Sequence, residues 1–169
     1  MIARARWATG YARRVISQLR INETPVPIDR VAKHFGVEIR EEAFPDDISG
    51  ALHRGPDRAV IAVNGNHHPH RQRFTIAHEL GHFLLHQDAP AYYDQQHKVG
   101  LHFRAKVTGT KWDPKEIEAN RFAAELLMPR RLVLARVGDS LEVDAAQLAE
   151  EFNVSPEAMT YRLAELRFT

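Results

Sequence analysis

His78-Glu79-Leu80-Gly81-His82 places two histidines four residues apart around a glutamate. On a helix, positions i and i+4 lie about 6 Å apart along the axis and about 40° apart around it. Two imidazoles so placed can grip one metal ion. Glu79 projects beside them, where it can take a proton from a water activated by the metal. The chemistry this spacing predicts is metal-assisted hydrolysis. The pentapeptide fixes only three positions, and an amphipathic helix with satisfied core histidines also fits it. Phe74, Ala77, Gly81 and Leu85 share the histidines' side at helical spacing. Imidazoles facing such an apolar lining need a polar or metallic partner, which favours the site.

A catalytic zinc takes three protein ligands and keeps a fourth position open. The chain has no cysteine, so the third ligand must be His, Asp or Glu. His86 lies about 12 Å along the helix axis from His78, too far to close the same tetrahedron. Asp88 is a possible ligand, but the extended pattern that would recruit it needs a glycine where Leu85 stands. The better candidates follow on a second helix. Asp113-Pro114-Lys115-Glu116 reads as a helix start, with Asp113 as cap, Pro114 at the first position and Glu116 reaching back to the cap. Glu118 has no such task. It lies one turn before Phe122, beside an Ala119/Phe122/Ala123/Leu126 stripe, and an inward carboxylate requires a partner or a metal. Glu118 is therefore the expected third ligand, with Glu116 second.

These residues need elements to hold them. Pro69 suits the first turn of the histidine helix, with Asn66 able to serve its start. Residues 3–20 carry a helical stripe of Ala5, Ala8, Ala12, Val15, Ile16 and Leu19, and a shorter helix fits 28–35, stopped by Gly36. Residues 37–41, 49–54 and 58–63 read as strands, the last apolar enough for a central place. Three strands in succession feeding a helix predict a β-meander backed by that helix, an α+β arrangement. His67, His68 and His70 form either an exposed helix cap or a second metal site. Residues 88–112 read as an irregular, lid-like loop. Its Tyr92, Tyr93, His97 and His102 are the candidates for stabilising an oxyanion.

Composition narrows the function. A chain of 169 residues with 44% hydrophobic and 27% charged side chains has a globular balance. Its net charge of +1 exerts no general pull on nucleic acid or anionic membrane. There is no apolar run long enough to span a bilayer, and the basic start at Arg4 and Arg6 precedes no secretory apolar region. With no disulfides, these features predict a cytoplasmic protein.

Residues 143–152 and 156–166 form two helices around a turn at Asn153-Val154-Ser155, a pattern similar to a helix-turn-helix. The second helix offers Arg162 near its far end but also Glu157 and Glu165, and Asp144, Glu150 and Glu151 lie nearby. A DNA-docking face is basic, so packing or partner docking suits this tail better.

His78 to His86, followed by Glu118-Ala119-Asn120-Arg121-Phe122-Ala123-Ala124-Glu125-Leu126-Leu127-Met128-Pro129, resembles the ImmA/IrrE family of zinc metallopeptidases. The similarity extends through Pro27-Ile28, Phe35-Gly36-Val37 and Ile61-Ala62-Val63-Asn64 to most of residues 25–130. The resemblance implies a zincin-like core over residues 1–130 and a helix-turn-helix-like helical subdomain over 131–169. It implies Zn2+ held by His78, His82 and Glu118, with Glu79 as general base. It also implies a protein substrate, a helix-turn-helix repressor or antitoxin whose cleavage relieves repression of mobile-element, stress or toxin–antitoxin genes. Two rivals stand beside this reading: a zinc-containing regulator that binds a repressor without cutting it, and a DNA-binding regulator acting through its tail.

Overall fold

A computed structural model describes residues 2–56, 58–87, 92–95, 113–138 and 143–167. Seven helices and four strands alternate in the order α1 (Ile2–Gln18), α2 (Ile28–His34), β1 (Val37–Glu42), β2 (Ile48–Arg54), β3 (Ala59–Asn64), α3 (Pro69–Leu85), β4 (Tyr92–Gln95), α4 (Pro114–Leu127), α5 (Arg130–Val137), α6 (Ala145–Phe152) and α7 (Pro156–Arg167) among the described residues. The class is the expected α+β.

The sheet is not a meander. Its order is β1-β3-β2-β4, with β1 parallel to β3 and β2 antiparallel to both β3 and β4. Composition explains the places. β3 carries Ala59, Ile61 and Val63, all buried, and takes an interior position with a neighbour on each side. β1 carries Glu38, Arg40, Glu41 and Glu42, and charges of this kind belong on an edge, where they discourage further pairing. β4 falls within the stretch expected to be irregular; residues 88–91 and 96–112 lie outside the described residues.

Ile39, Ile61 and Leu52 stand in register across β1, β3 and β2 and share a face of the sheet with Gly50. That face lies against α3. A Cβ on Gly50 would meet the Thr75 Cγ2 of α3 and the Ala62 carbonyl, both at 2.7 Å, so the strand is pressed onto the helix. The opposite face bears exposed Arg40, Glu42, His53 and Arg58. Buried Asn64 closes β3. Its amide donates to the carbonyls of Phe44, Pro45 and Ile48 at 3.2, 3.1 and 2.8 Å, tying the β1–β2 connection to the point where α3 is about to start.

Four helix starts follow polar chemistry, with one change of residue, while α2 and α5 begin after Pro27 and Pro129 without a side-chain cap. The imidazole of His68, not Asn66, caps α3 by accepting from the His70 N–H. Asp113 caps α4 as expected, accepting from the Lys115 N–H at 2.8 Å. Asp144 and Ser155 cap α6 and α7 in the same way. Helix α5 was not expected from the sequence: it has one full pair of buried side chains, Leu132 and Val133, too weak an apolar period to announce a helix.

α4 lies between α3 and α1, and its last turns also anchor the tail. Glu125, 1% exposed, accepts from Arg13 of α1 at 2.9 Å, from the Arg130 N–H at 3.2 Å and from the Arg162 guanidinium of α7. Arg162 also donates to the Met128 carbonyl at 3.0 Å. Phe152, Met159 and Leu166 of the tail belong to the same buried cluster as Leu80 and Phe122. Contacts thus cross the expected 130/131 boundary. Arg162, 3% exposed, is turned inward and lies off any surface a duplex could reach.

Arg162→Met leaves the buried Glu125 carboxylate with one side-chain partner, the half-exposed Arg13. Removing one member of a buried ion pair costs about 3 kcal/mol or more, and a fall in stability of that size is expected in urea unfolding.

Candidate metal centre

Three side chains from two helices converge. The Nε2 atoms of His78 and His82 stand 3.0 Å apart. Glu116 of α4 places Oε2 at 3.2 Å from His78 Nε2 and Oε1 at 3.1 Å from His82 Nε2. His78 and His82 are 4% and 2% exposed. Donors held about 2.0–2.1 Å from one ion in tetrahedral geometry stand roughly 3.3 Å apart, so the observed spacings suit a small cation. Among the described residues these three form the one group of this kind.

The opposite ring nitrogen of His78 shows how that donor is presented. His78 Nδ1 lies 3.0 Å from Asn120 Oδ1, an acceptor, so the imidazole N–H is on Nδ1 and the Nε2 lone pair faces the centre. His82 Nδ1 lies 3.1 Å from His86 Nδ1. Burial, above all, lowers the His82 pKa; the neighbouring Glu116 carboxylate opposes that shift and the other histidines add to it. A lowered pKa keeps the imidazole neutral at neutral pH, which is the form that binds metal. Neutral Nε2 lone pairs repel one another and the carboxylate unless a cation lies among them. The donor set therefore fits a metal ion.

Glu118 is not at this centre. Its Oε2 accepts from His86 Nε2 at 3.0 Å, and Arg4 of α1 comes within 3.8 Å of its Oε1. The expectation that an inward carboxylate must be the ligand is corrected here by helix geometry. Glu116, Ala119, Asn120 and Ala123 fall on the face of α4 turned to α3. Glu118, Phe122 and Glu125 fall on the other side, where they meet Arg4, Tyr11 and Arg13 of α1, and from there Glu118 and Phe122 also reach His86 and Gly81 of α3. Both faces are inward, so burial did not distinguish them. Glu116 instead faces the two histidines, and Asp113 accepts at the helix start. The signal in the sequence that could have found Glu116 is Asn120, four residues on, because a polar side chain on that face supports a ligand of the other helix.

Two features bring α4 and α3 to the right distance. A Cβ on Gly81 would stand 3.1 Å from Ala119 Cα and 3.2 Å from its carbonyl, so glycine permits the close crossing. At the end of α3, Arg54 of β2 donates to the carbonyls of His82, Phe83 and His86 at 2.7, 3.1 and 3.2 Å. A cation there satisfies carbonyls left over at the helix end and favours its dipole. Glu79, 1% exposed, follows His78 on the same helix.

Other expected features are placed elsewhere or not at all. His67 Nε2 lies 3.1 Å from the Asp46 carbonyl while His68 caps α3, so the cluster at 67–70 serves local structure. His97 and His102, and the side chains of Tyr92 and Tyr93, lie outside the described residues.

A family model described as the IrrE N-terminal-like domain of peptidase family M78 matches residues 32–164. The radiation response metalloprotease IrrE of Deinococcus deserti is 37% identical over 114 residues, covering 65% of this chain and 37% of that protein. The metallopeptidase ImmA of Bacillus subtilis is 27% identical over 113 residues, covering 67% of this chain and 60% of that protein. The chain thus spans about a third of the IrrE relatives' length and three fifths of ImmA. A Mycobacterium tuberculosis transcriptional regulator superposes with a TM-score of 0.62 at 21% identity, over 93% of this chain and 46% of that one, a likeness of fold. No helix among the described residues is long and apolar enough to cross a membrane.

Gly81→Val forces a branched side chain against the Ala119 backbone. Overpacking of this kind costs about 1–3 kcal/mol, read as a lower Tm. Gly81→Ala is expected to fall less, because alanine regains about 1 kcal/mol of helix propensity.

Proposed function

The chain belongs to the IrrE N-terminal-like peptidase family M78, and on that premise we propose that it is a zinc-dependent endopeptidase. The observation that carries the reading is the convergence of His78, His82 and Glu116 within 3.2 Å of one another, from two helices and in a cysteine-free chain. Two imidazoles and one carboxylate are a donor set that suits zinc and leaves a coordination position open.

Zinc bound there supplies Lewis acidity, which polarises a carbonyl and lowers the pKa of water to about 7. The rest is the work of the chain. Asn120 holds the His78 imidazole by its Nδ1 atom, so that the His78 Nε2 lone pair faces the centre. Glu79, next to His78 on α3, is the general base: it takes a proton from the attacking water and returns one to the leaving amine. One water is consumed, one peptide bond breaks, and a carboxylate and an amine are released. Tyr92, Tyr93, His97 and His102 remain the candidates for holding the oxyanion.

The substrate in this reading is a helix-turn-helix repressor or antitoxin, and cleavage relieves repression. Metalloprotease names among the relatives support a protein substrate. The burial of Arg162 against Glu125 supports a packing role for the tail rather than DNA docking.

Glu79→Gln is expected to retain one equivalent of zinc and lose cleavage, whereas Glu116→Gln loses zinc and cleavage together. Metal content is read by atomic emission. Cleavage is read by mass spectrometry of a candidate helix-turn-helix repressor, before and after mixing. A Glu79→Gln variant that still cuts removes the assigned base, and release of the partner without any new peptide replaces proteolysis by binding.

A further inference from the structure

Behind the donor triangle, three buried groups stand in line. His82 Nδ1 lies 3.1 Å from His86 Nδ1, and His86 Nε2 lies 3.0 Å from Glu118 Oε2. His86 and Glu118 are 7% and 4% exposed. We propose that Glu118 and His86 form a positioning chain that fixes the orientation and tautomer of His82, so that its Nε2 lone pair is held ready for a metal ion. The inference rests on His82 being a ligand, as in the function proposed above.

The proton order follows from counting donors and acceptors. A neutral imidazole has one N–H and one lone pair. If His82 Nε2 faces the metal with its lone pair, its hydrogen is on Nδ1 and needs an acceptor. His86 Nδ1 is that acceptor, which places the hydrogen of His86 on Nε2. That hydrogen needs an acceptor in turn, and Glu118 Oε2 is in place. Each bond in the line is satisfied in one direction only, from His82 outward to the carboxylate. The line also accounts for a polar pair, His86 and Glu118, in an interior where neither would be stable alone.

The two histidine ligands are held differently. His78 donates to the amide oxygen of Asn120, a neutral acceptor on α4. His82 donates to an imidazole backed by a carboxylate from the same helix. Asn120 and Glu118 both come from α4, which also supplies Glu116, while His86, between Glu118 and His82, comes from the end of α3.

A packing role and a positioning role are separated by the substitutions at His86. Leucine fills the space but accepts no hydrogen bond. The amide oxygen of asparagine sits where Nδ1 sits and accepts from His82, but leaves space unfilled. Zinc affinity is measured by competition with a chromophoric chelator on the full chain, with thermal unfolding as a check on folding. His86→Leu is expected to bind zinc about 10–100-fold more weakly, the range for losing a partner behind a ligand. His86→Asn is expected to recover most of that loss, and Glu118→Gln, which keeps an acceptor oxygen, to fall less than Glu118→Leu. The reverse order, with leucine binding as tightly as histidine and asparagine weakly, overturns the proposal. Where a variant does not fold, long-range 15N–1H spectra of the zinc-loaded unsubstituted chain decide: a His86 proton on Nε2 alone supports the chain, and one on Nδ1 overturns it. An unsubstituted chain that binds no zinc refutes the ligand set itself, and this inference with it; tight binding with the wrong order among the variants refutes this inference alone.

Discussion

Where α3 and α4 cross, the Gly81 position lies so near the Ala119 backbone that a Cβ would approach to 3.1 Å. The distance between the two helices sets everything the centre can do. His78 and His82 ride on one helix and Glu116 on the other, and the donor spacings of 3.0 to 3.2 Å exist only while the backbones stay this close. A larger pair of residues at the crossing would separate the donors and leave buried polar groups without partners, a double penalty.

The rest of the molecule holds that crossing still. The sheet presses α3 from one side, with Gly50 set against Thr75. Arg54 reaches from β2 to three carbonyls at the end of the same helix, tying the turn that carries His82 and His86 to the sheet. On the other side α1 lies along α4, and Arg13 and Arg162 meet on Glu125. Donor groups mounted on packed helices keep their geometry better than groups on loops, and binding a metal then requires little reorganisation.

α4 is unusual in having carboxylates on two inward faces. Glu116 turns to His78 and His82, Glu118 lies between His86 and Arg4 of α1, and Glu125 meets Arg13 of α1 and Arg162 of the tail. A single helix thus presents one carboxylate to His78 and His82, one to His86 behind them, and one to the ion pairs with α1 and the tail. The separation is angular: two residues along a helix is about 200° of rotation.

Much of this was legible in the residues. The spacing of His78, Glu79 and His82, the Asp113-Pro114 helix start, the α+β class and the helical pair at the end of the chain follow from local chemistry, because periodicity, caps and turns act within a few residues. The parallel pairing of β1 with β3 and the strand at 92–95 depend on partners distant in sequence, and no local pattern announces them. Glu116 and Glu118 differ in the same way. Each is a plausible inward carboxylate on its own helix, and the spacing to His78 and His82 exists only after α3 and α4 have packed through Gly81 and Ala119. His86 was excluded as a ligand by axial distance. What sequence reasoning missed is that an excluded histidine can stand behind a ligand, because that requires knowing which carboxylate the fold brings to its other nitrogen. The sequence alone determined which residue types could bind a metal and on which helices they lie. Tertiary packing decided which carboxylate meets the histidines, since that choice depends on a helix rotation fixed by contacts between segments far apart in the chain.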